Sequence, residues 1–130
     1  MTYPNDPCQV PILVHQGEGY NPPPISFVDN AIPANVIPLV GYSAQLTVRN
    51  TTNSSVIALV ASTSNGYIYV SQQAGQIIIT IPAAVLSALV NVGGSPASFC
   101  GVYDLFIFPP VAQPMYVFGG SFEVRESVLQ

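Results

Sequence analysis

Charged side chains are scarce in this chain of 130 residues. Only 6% of the residues are Asp, Glu, Lys or Arg, lysine is absent, and the two cations are Arg49 and Arg125. Ordinary soluble domains carry about 25% charged residues. A protein that binds duplex DNA specifically neutralises several phosphates, about 6–10 in typical cases. A chain of net charge −4 with two arginines cannot do this, so nucleic acid is excluded as a partner.

Long apolar runs are also missing. The longest one, 77–92, is interrupted by Thr80, Pro82, Ser87 and Asn91, and it falls short of the about 20 apolar residues that a membrane-spanning helix needs. The first residues lack the basic start and the apolar core of about 7–15 residues that a secretory signal has. We therefore expect no membrane partner and synthesis in the cytoplasm.

Groups that could perform catalysis or bind a metal are few. The single histidine, His15, lacks the oriented acid that a Ser/His/Asp triad needs. A blue-copper centre built on Cys100 and Met115 would need a second histidine. Cys8 and Cys100 do not have the spacing of a metal site. We expect them to be packed thiols, and the alternative is a disulfide between them.

Three acidic residues near the end of the chain could in principle gather for acid/base chemistry or cation binding: Asp104, Glu123 and Glu126. Glu123 and Arg125 alternate with apolar neighbours, however, which places them on the solvent or partner face of a strand. The sequence therefore predicts no catalytic, cofactor-binding or metal-binding residue and no cofactor. We expect a protein that is not an enzyme.

Prolines crowd the beginning of the chain. Six of the 13 prolines lie in the first 24 positions, at Pro4, Pro7, Pro11, Pro22, Pro23 and Pro24. Each proline fixes φ at about −65° and removes a backbone donor, which excludes a helix and most sheet pairing. We predict that residues 1–24 form an extended N-terminal arm that leaves its own domain and docks along a neighbouring chain. Residues 25–130 then form the folded domain.

Beyond residue 25, short apolar runs recur about every 10–12 residues between clusters of Gly, Asn, Pro and Ser, a pattern typical of an all-β sandwich. In the clearest run, Ala44, Leu46 and Val48 alternate with polar side chains, the period of a half-buried strand. Strands are predicted at 25–29, 42–50, 56–62, 67–71, 76–81, 99–108 and 116–125, with a short helix at 83–90. The three strands between 56 and 81 are predicted to form a meander, and the last two a hairpin. The predicted fold is a single Ig-like antiparallel β-sandwich with one short helical turn and the proline-rich arm.

The strand at 99–108 is apolar on both faces, which indicates a central or covered position. The alternation predicts a core that includes Tyr103, Leu105, Phe122 and Val124. Asp104 then lies among apolar neighbours, and because a buried carboxylate needs donors, we predict a pair with Arg49. Gly119 and Gly120 in the last strand predict a bulge or a close approach of another backbone segment.

Several segments resemble the motifs of one family of viral proteins. Segment 39–49, LVGYSAQLTVR, resembles a strand of the small β-sandwich domains found in tail and baseplate proteins of tailed bacteriophages. Segments 66–70 and 76–82 are similar to a strand pair of that family, and segment 83–90 falls where it has a short helical turn. YDL at 103–105 and FGGSFEV at 118–124 are similar to its later strands. The resemblance covers about residues 25–128.

This resemblance implies a role as a fibre-anchoring or baseplate-upper-protein-like domain in a virion, with no catalytic residues to carry over. The chain departs from the family in its proline-rich arm. It also departs in the loop 109–114, where the family usually has a tight polar turn.

The predicted function is that of a non-enzymatic structural protein of a phage virion, a tail or baseplate component that connects or anchors fibres. No charged residue occurs between Arg49 and Asp104, and apolar patches on a soluble protein usually mark interfaces. The expected partners are other virion structural proteins, in a homo-oligomer or multi-copy assembly, and the expected location is the virion. One alternative is a receptor- or glycan-binding module at a fibre, since seven tyrosines could stack on sugars. The other is a capsid decoration or head–tail joining protein.

Overall fold

The computed structural model describes residues 10–15, 17–50, 57–89 and 99–125. The strands in these ranges are β1 (Ile12–His15), β2 (Ile25–Ser26), β3 (Ser43–Asn50), β4 (Ile57–Ser62), β5 (Ile68–Ser71), β6 (Gln76–Ile79), β7 (Phe99–Phe108) and β8 (Met115–Arg125). One short helix, α1 (Ala83–Ser87), follows Pro82, and its Leu86 is buried. No helix in the described part of the chain has the length and hydrophobicity to cross a membrane.

The strands form two sheets that pack face to face, which confirms the predicted all-β sandwich. The larger sheet has the order β1-β8-β7-β3-β4, and the smaller one has the order β2-β6-β5. Alternate residues of each strand turn inward: Leu46 from the larger sheet and Ile77 from the smaller one are both buried. Burial of such side chains, at about 25 cal/mol per Å² of apolar surface, is the main source of stability.

The hairpin of β7 and β8 lies at the centre of the larger sheet, as the sequence predicts. The predicted core residues, Tyr103, Leu105, Phe122 and Val124, are all buried. The Tyr103 ring lies edge-on to Phe118 and Phe122, with centroids 6.3 and 6.1 Å away, a preferred arrangement of aromatic pairs. A register shift in this hairpin leaves Val117 as the extra residue on β8.

The predicted meander is wrong in one respect. β5 and β6 pair with each other, but β4 pairs with β3 in the opposite sheet, so the turn between β4 and β5 carries the chain across the sandwich. The side chain of Asn65 shapes this turn: its Oδ1 accepts hydrogen bonds from the N–H groups of Ser62 and Tyr67, at 3.0 and 3.1 Å. Its Nδ2 donates to the Val60 carbonyl at 2.8 Å. The Asn-Gly pair thus marks a turn, as its sequence indicates, but the turn connects two sheets and does not close a hairpin.

The predicted boundary between an arm and a domain at residue 24 is also wrong. Ile12–His15 forms β1, which pairs in parallel with β8 of the same chain and buries Ile12 and Val14 in the core. Tyr20 then forms a bridge with Ile81, next to the smaller sheet. The physical reason is that the prolines are unevenly spaced: residues 12–21 contain none and keep all their backbone donors. Residues 1–9 of the predicted arm lie outside the described residues.

Val10 is fixed where it crosses β8. Its N–H donates to the Gly119 carbonyl at 2.6 Å, and its carbonyl accepts a hydrogen bond from the Tyr103 hydroxyl, also at 2.6 Å. A side chain at Gly120 would place its Cβ only 2.8 Å from the Val10 oxygen. Gly120 also has φ +154°, which L side chains rarely adopt. The predicted close approach at the two glycines is therefore present, and the N-terminal segment is the element that makes it.

Candidate functional site

The outer face of the larger sheet can be read as rows, because residues paired across strands share a face. From β8 to β4, the first row is Tyr116, Phe106, Gln45 and Ser62. The second row is Gly119, Asp104, Thr47 and Val60, and the third is Ser121, Val102, Arg49 and Ile57. Aromatic, amide and charged side chains therefore share this face.

Asp104 is exposed on this outer face, which contradicts its predicted burial among apolar neighbours. The strand alternation that buries Tyr103 and Leu105 turns Asp104 to the opposite side. Its cross-strand neighbours are Thr47 and Gly119, which are small and leave the carboxylate in solvent. Arg49 lies diagonally from Asp104 on the same face, so the pair between them stays a prediction.

Asp104 and Tyr116 converge above Gly119. A Cβ placed on Gly119 would lie 2.7 Å from the Asp104 Oδ1 and 2.7 Å from the Tyr116 hydroxyl. Tyr116 also packs edge-on against Phe106, with ring centroids 5.5 Å apart and an interplanar angle of 67°. The absence of a side chain at Gly119 thus allows a carboxylate, a phenol and an aromatic pair to meet in one place.

The candidate catalytic and metal-binding groups that the structure describes are not brought together. His15 is exposed and lies 3.7 Å from the carboxylate of Glu18, a contact within one turn of the chain. Cys100 is exposed, so the expectation of a packed thiol is wrong for this residue. It pairs with Glu123, and Met115 pairs with Ile107. That register separates the two sulfur-bearing residues by seven positions of β7, about 23 Å. In the described ranges, no three His, Cys, Asp or Glu side chains are placed to hold a metal ion.

Glu123 and Arg125 form an ion pair at the far end of β8. The Arg125 Nε donates to the Glu123 Oε2 at 2.9 Å, and this hydrogen bond raises the pKa of Arg125. The pair lies on the solvent face, as predicted, where such pairs contribute little to stability. Cys8 and Glu126 lie outside the described residues, so their predicted roles are not placed.

A second surface is formed by exposed apolar side chains in two loops. We call it the apolar loop surface, and it consists of Val28, Ile32, Val36, Ile37, Val40 and Val111. Ile32 is 99% exposed and Val111 is 97% exposed. The two loops adjoin, because a Cβ on Gly41 would lie 3.2 Å from the Pro110 ring. Exposed apolar surface of this kind marks interaction sites.

The segment that carries most of this surface is anchored at both ends. Phe27 donates to the Gly75 carbonyl at 2.8 Å, and Ile37 donates to the Phe27 carbonyl at 2.9 Å. Leu39, which is buried, donates to the Gln72 carbonyl at 2.9 Å. The apolar loop surface is therefore attached to the core.

Asp29 organises the loop that presents Ile32. Its Oδ1 accepts from the N–H groups of Ala31 and Asn35, at 3.0 and 2.9 Å, and its Oδ2 accepts from the Asn35 side chain at 3.1 Å. These bonds, the backbone one from Asn35 first, lower the pKa of Asp29. The Asp29 carboxylate thus forms its hydrogen bonds within its own loop. Asp29 is the only charged residue of segment 27–41.

We expect the Asp29 loop to loosen in acid. Because the folded-state pKa of Asp29 lies below its ordinary value of about 3.9, the unfolded chain binds the proton more readily. The stabilisation by the carboxylate is complete above that ordinary value and is lost as the pH falls through the lowered pKa. In an NMR titration, the amide signals of Ala31 and Asn35 should shift with a midpoint below the ordinary Asp value.

Asp29→Asn is the control for this titration, because it keeps a carbonyl acceptor and removes the titrating group. The two amide signals should then not follow that titration. A wild-type midpoint at or above the ordinary Asp value would show that the carboxylate does not hold the loop.

No family model and no curated protein matches the chain. Among solved structures, the chain is similar to extracellular domains 3–5 of Drosophila OTK, with 13% identity, a TM-score of 0.35 and coverage of 88% of this chain. The chain spans about a third, 32%, of the length of that structure. A similarity this low carries no conclusion about function.

Proposed function

We propose that this chain is a non-enzymatic structural protein of a phage virion, a tail or baseplate component that joins other virion proteins. The motif resemblance at 39–49, 66–70, 76–82, 103–105 and 118–124 supports the assignment to a phage. The apolar loop surface supports the docking role, and it is the observation on which that role rests.

The apolar loop surface has the properties of a contact region. Interfaces are depleted in charged residues at their centre, and the one charged side chain in segment 27–41 is bonded within its own loop. The anchored segment loses little conformational freedom on docking, which favours affinity. The exposed side chains of Ile32 and Val111 supply the apolar area that a partner would cover.

A non-enzymatic role is supported by the placement of the reactive side chains. His15 lies on the surface, and among the described residues its one ionic contact is with Glu18. Asp104 and Glu123 lie four positions apart in the β7–β8 register, about 13 Å. That spacing is too wide for a shared proton or a shared metal ion.

The test is incorporation into virions. The double variant Ile32→Asp, Val111→Asp places two charges on the apolar loop surface, and burying an unpaired charge costs several kcal/mol, on the order of a hundredfold or more in affinity. We expect at least a tenfold loss of this chain from purified particles, measured by quantitative mass spectrometry. Both positions are exposed, so the isolated domain should keep its stability.

Ile57→Asp is the matched control, because Ile57 is an exposed isoleucine on β4, outside the apolar loop surface. It should be incorporated like the wild type. Full incorporation of a folded double variant would contradict docking through this surface.

A further inference from the structure

The outer face of the larger sheet holds a second, chemically different surface. We call it the Asp104 patch, and it consists of Asp104, Tyr116, Phe106, Gln45 and Thr47, arranged around Gly119. These residues occupy two adjacent rows on three neighbouring strands, an area about 10 Å wide and about 7 Å long. None of them belongs to the apolar loop surface, so a role of the Asp104 patch does not depend on the proposed function.

We propose that the Asp104 patch binds a neutral pyranose sugar. The aromatic pair provides a stacking surface: Tyr116 is 43% exposed and its ring is fixed edge-on against Phe106. The face of an aromatic ring is electronegative, and it attracts groups of positive polarity. The C–H groups on one side of a pyranose ring have that polarity, and a ring of this size matches the patch.

The polar groups of the patch match the hydroxyls of such a sugar. The Asp104 carboxylate accepts hydrogen bonds only, and hydrogen bonds to a charged acceptor are the stronger ones. Its Oδ1 and the Tyr116 hydroxyl lie over the same point, the missing side chain of Gly119. Beside them, the Gln45 amide donates to the Thr47 hydroxyl at 3.1 Å, which orients both groups. Fixed donors and acceptors next to an aromatic ring are what a polyhydroxylated ring needs for a defined orientation.

The charge of the patch selects among ligands. The Asp104 carboxylate lies at the centre of the patch, whereas the Arg49 guanidinium belongs to the next row of the same face. The nearer negative charge opposes acidic sugars, so the expected ligand carries no negative charge. A protein contact fits less well, because the centre of a protein interface is depleted in charged residues such as Asp. The apolar loop surface fits a protein contact better for the same reason.

The test is NMR on the isotope-labelled full chain with cellobiose, maltose and chitobiose as neutral probes and sialyllactose as the acidic probe. We expect at least one neutral probe to bind with a Kd of about 1 mM, typical of a small exposed site. It should shift the amide signals of residues 45–47, 104–106 and 116–121. Sialyllactose should shift them less at the same concentration.

Two pairs of variants locate the site. Tyr116→Ala should weaken binding about three- to tenfold, the value of one aromatic contact, whereas Tyr69→Ala removes an exposed tyrosine of the smaller sheet and should change nothing. Asp104→Asn should weaken binding by about tenfold, whereas Glu123→Gln makes the same change elsewhere on this face and should not. Asp104→Asn is an isosteric change at an exposed position and should leave the fold intact. It therefore still tests the proposal if Tyr116→Ala disturbs β8.

Three results would overturn the proposal: no shift with any neutral probe, shifts confined to other residues, or equal affinity in all four variants. Loss of virion incorporation in the Ile32→Asp, Val111→Asp variant with unchanged sugar binding would separate the two proposals.

Discussion

A chain that lacks residues 2–15 is expected to lose cooperative folding. The deletion removes β1, and with it the side chains of Ile12 and Val14, which are 4% and 3% exposed. Each buried aliphatic side chain contributes about 1.5–3 kcal/mol. The deletion also exposes Phe122 and Val124, the partners of β1 on β8, and leaves the Tyr103 hydroxyl without the Val10 carbonyl. These losses approach the whole stability of a small domain, about 5–15 kcal/mol.

Urea denaturation followed by far-ultraviolet circular dichroism measures this effect. The point variant Ile12→Ala should lose about 2–5 kcal/mol of unfolding free energy. Ile32→Ala makes the same change at a 99% exposed position and should stay within about 0.5 kcal/mol of the wild type. A truncated chain that unfolds cooperatively at the wild-type urea midpoint would show that the N-terminal segment is a separable arm.

Leu105→Ala should cost about 2–5 kcal/mol of unfolding free energy, because the truncation leaves a cavity at the centre of the larger sheet. Leu105 is fully buried, and it pairs with Leu46 on one side and with Phe118 on the other. Neighbours held on both sides by sheet hydrogen bonds cannot close the cavity easily. The measurement is again the urea midpoint and slope.

Leu13→Ala is the matched control for this substitution, since Leu13 is 49% exposed on β1. The change should cost much less there, because no closed cavity forms. If Leu105→Ala lowers the free energy of unfolding by less than about 1 kcal/mol, then Leu105 does not lie on the inner face of β7.

The long strands could be predicted because their alternation is strong. In β3, the buried residues Ala44, Leu46 and Val48 alternate with polar ones, and the buried Asn50 at the end of the strand is the exception. In β7, burial also alternates with a period of two, although both faces are apolar. The same pattern identified Tyr103, Leu105, Phe122 and Val124 as core residues. Where the period is clear, local pattern and tertiary burial agree.

The short elements could not be predicted in the same way. β1 has only four residues and pairs with β8, more than a hundred positions along the chain, so no local pattern shows its partner. The many prolines of the first 24 residues argue against a strand there, although residues 12–21 contain no proline and can pair. The predicted meander is wrong because Asn-Gly predicts a turn but does not show which sheet receives the next strand, and β5 pairs with β6 in the smaller sheet.

The two candidate surfaces depend on tertiary placement. Ile32 and Val111 are apolar residues beside prolines, and the sequence does not tell whether such a loop folds onto the core or away from it. Their exposure follows from anchors such as Leu39 and Asp29. The Asp104 patch depends on the register of three strands, which brings Gln45 beside Phe106. For the apolar loop surface, the one signal in the sequence is the presence of apolar residues next to prolines.

An electron cryomicroscopy reconstruction of the whole virion tests the central proposal most directly. The proposed function predicts density for this sandwich in the tail or baseplate, with Ile32 and Val111 of the apolar loop surface covered by a neighbouring protein. Density on the capsid or at the head–tail joint would instead support the alternative structural roles. Absence of the chain from purified particles, or a sandwich whose apolar loop surface faces solvent, would contradict the proposal.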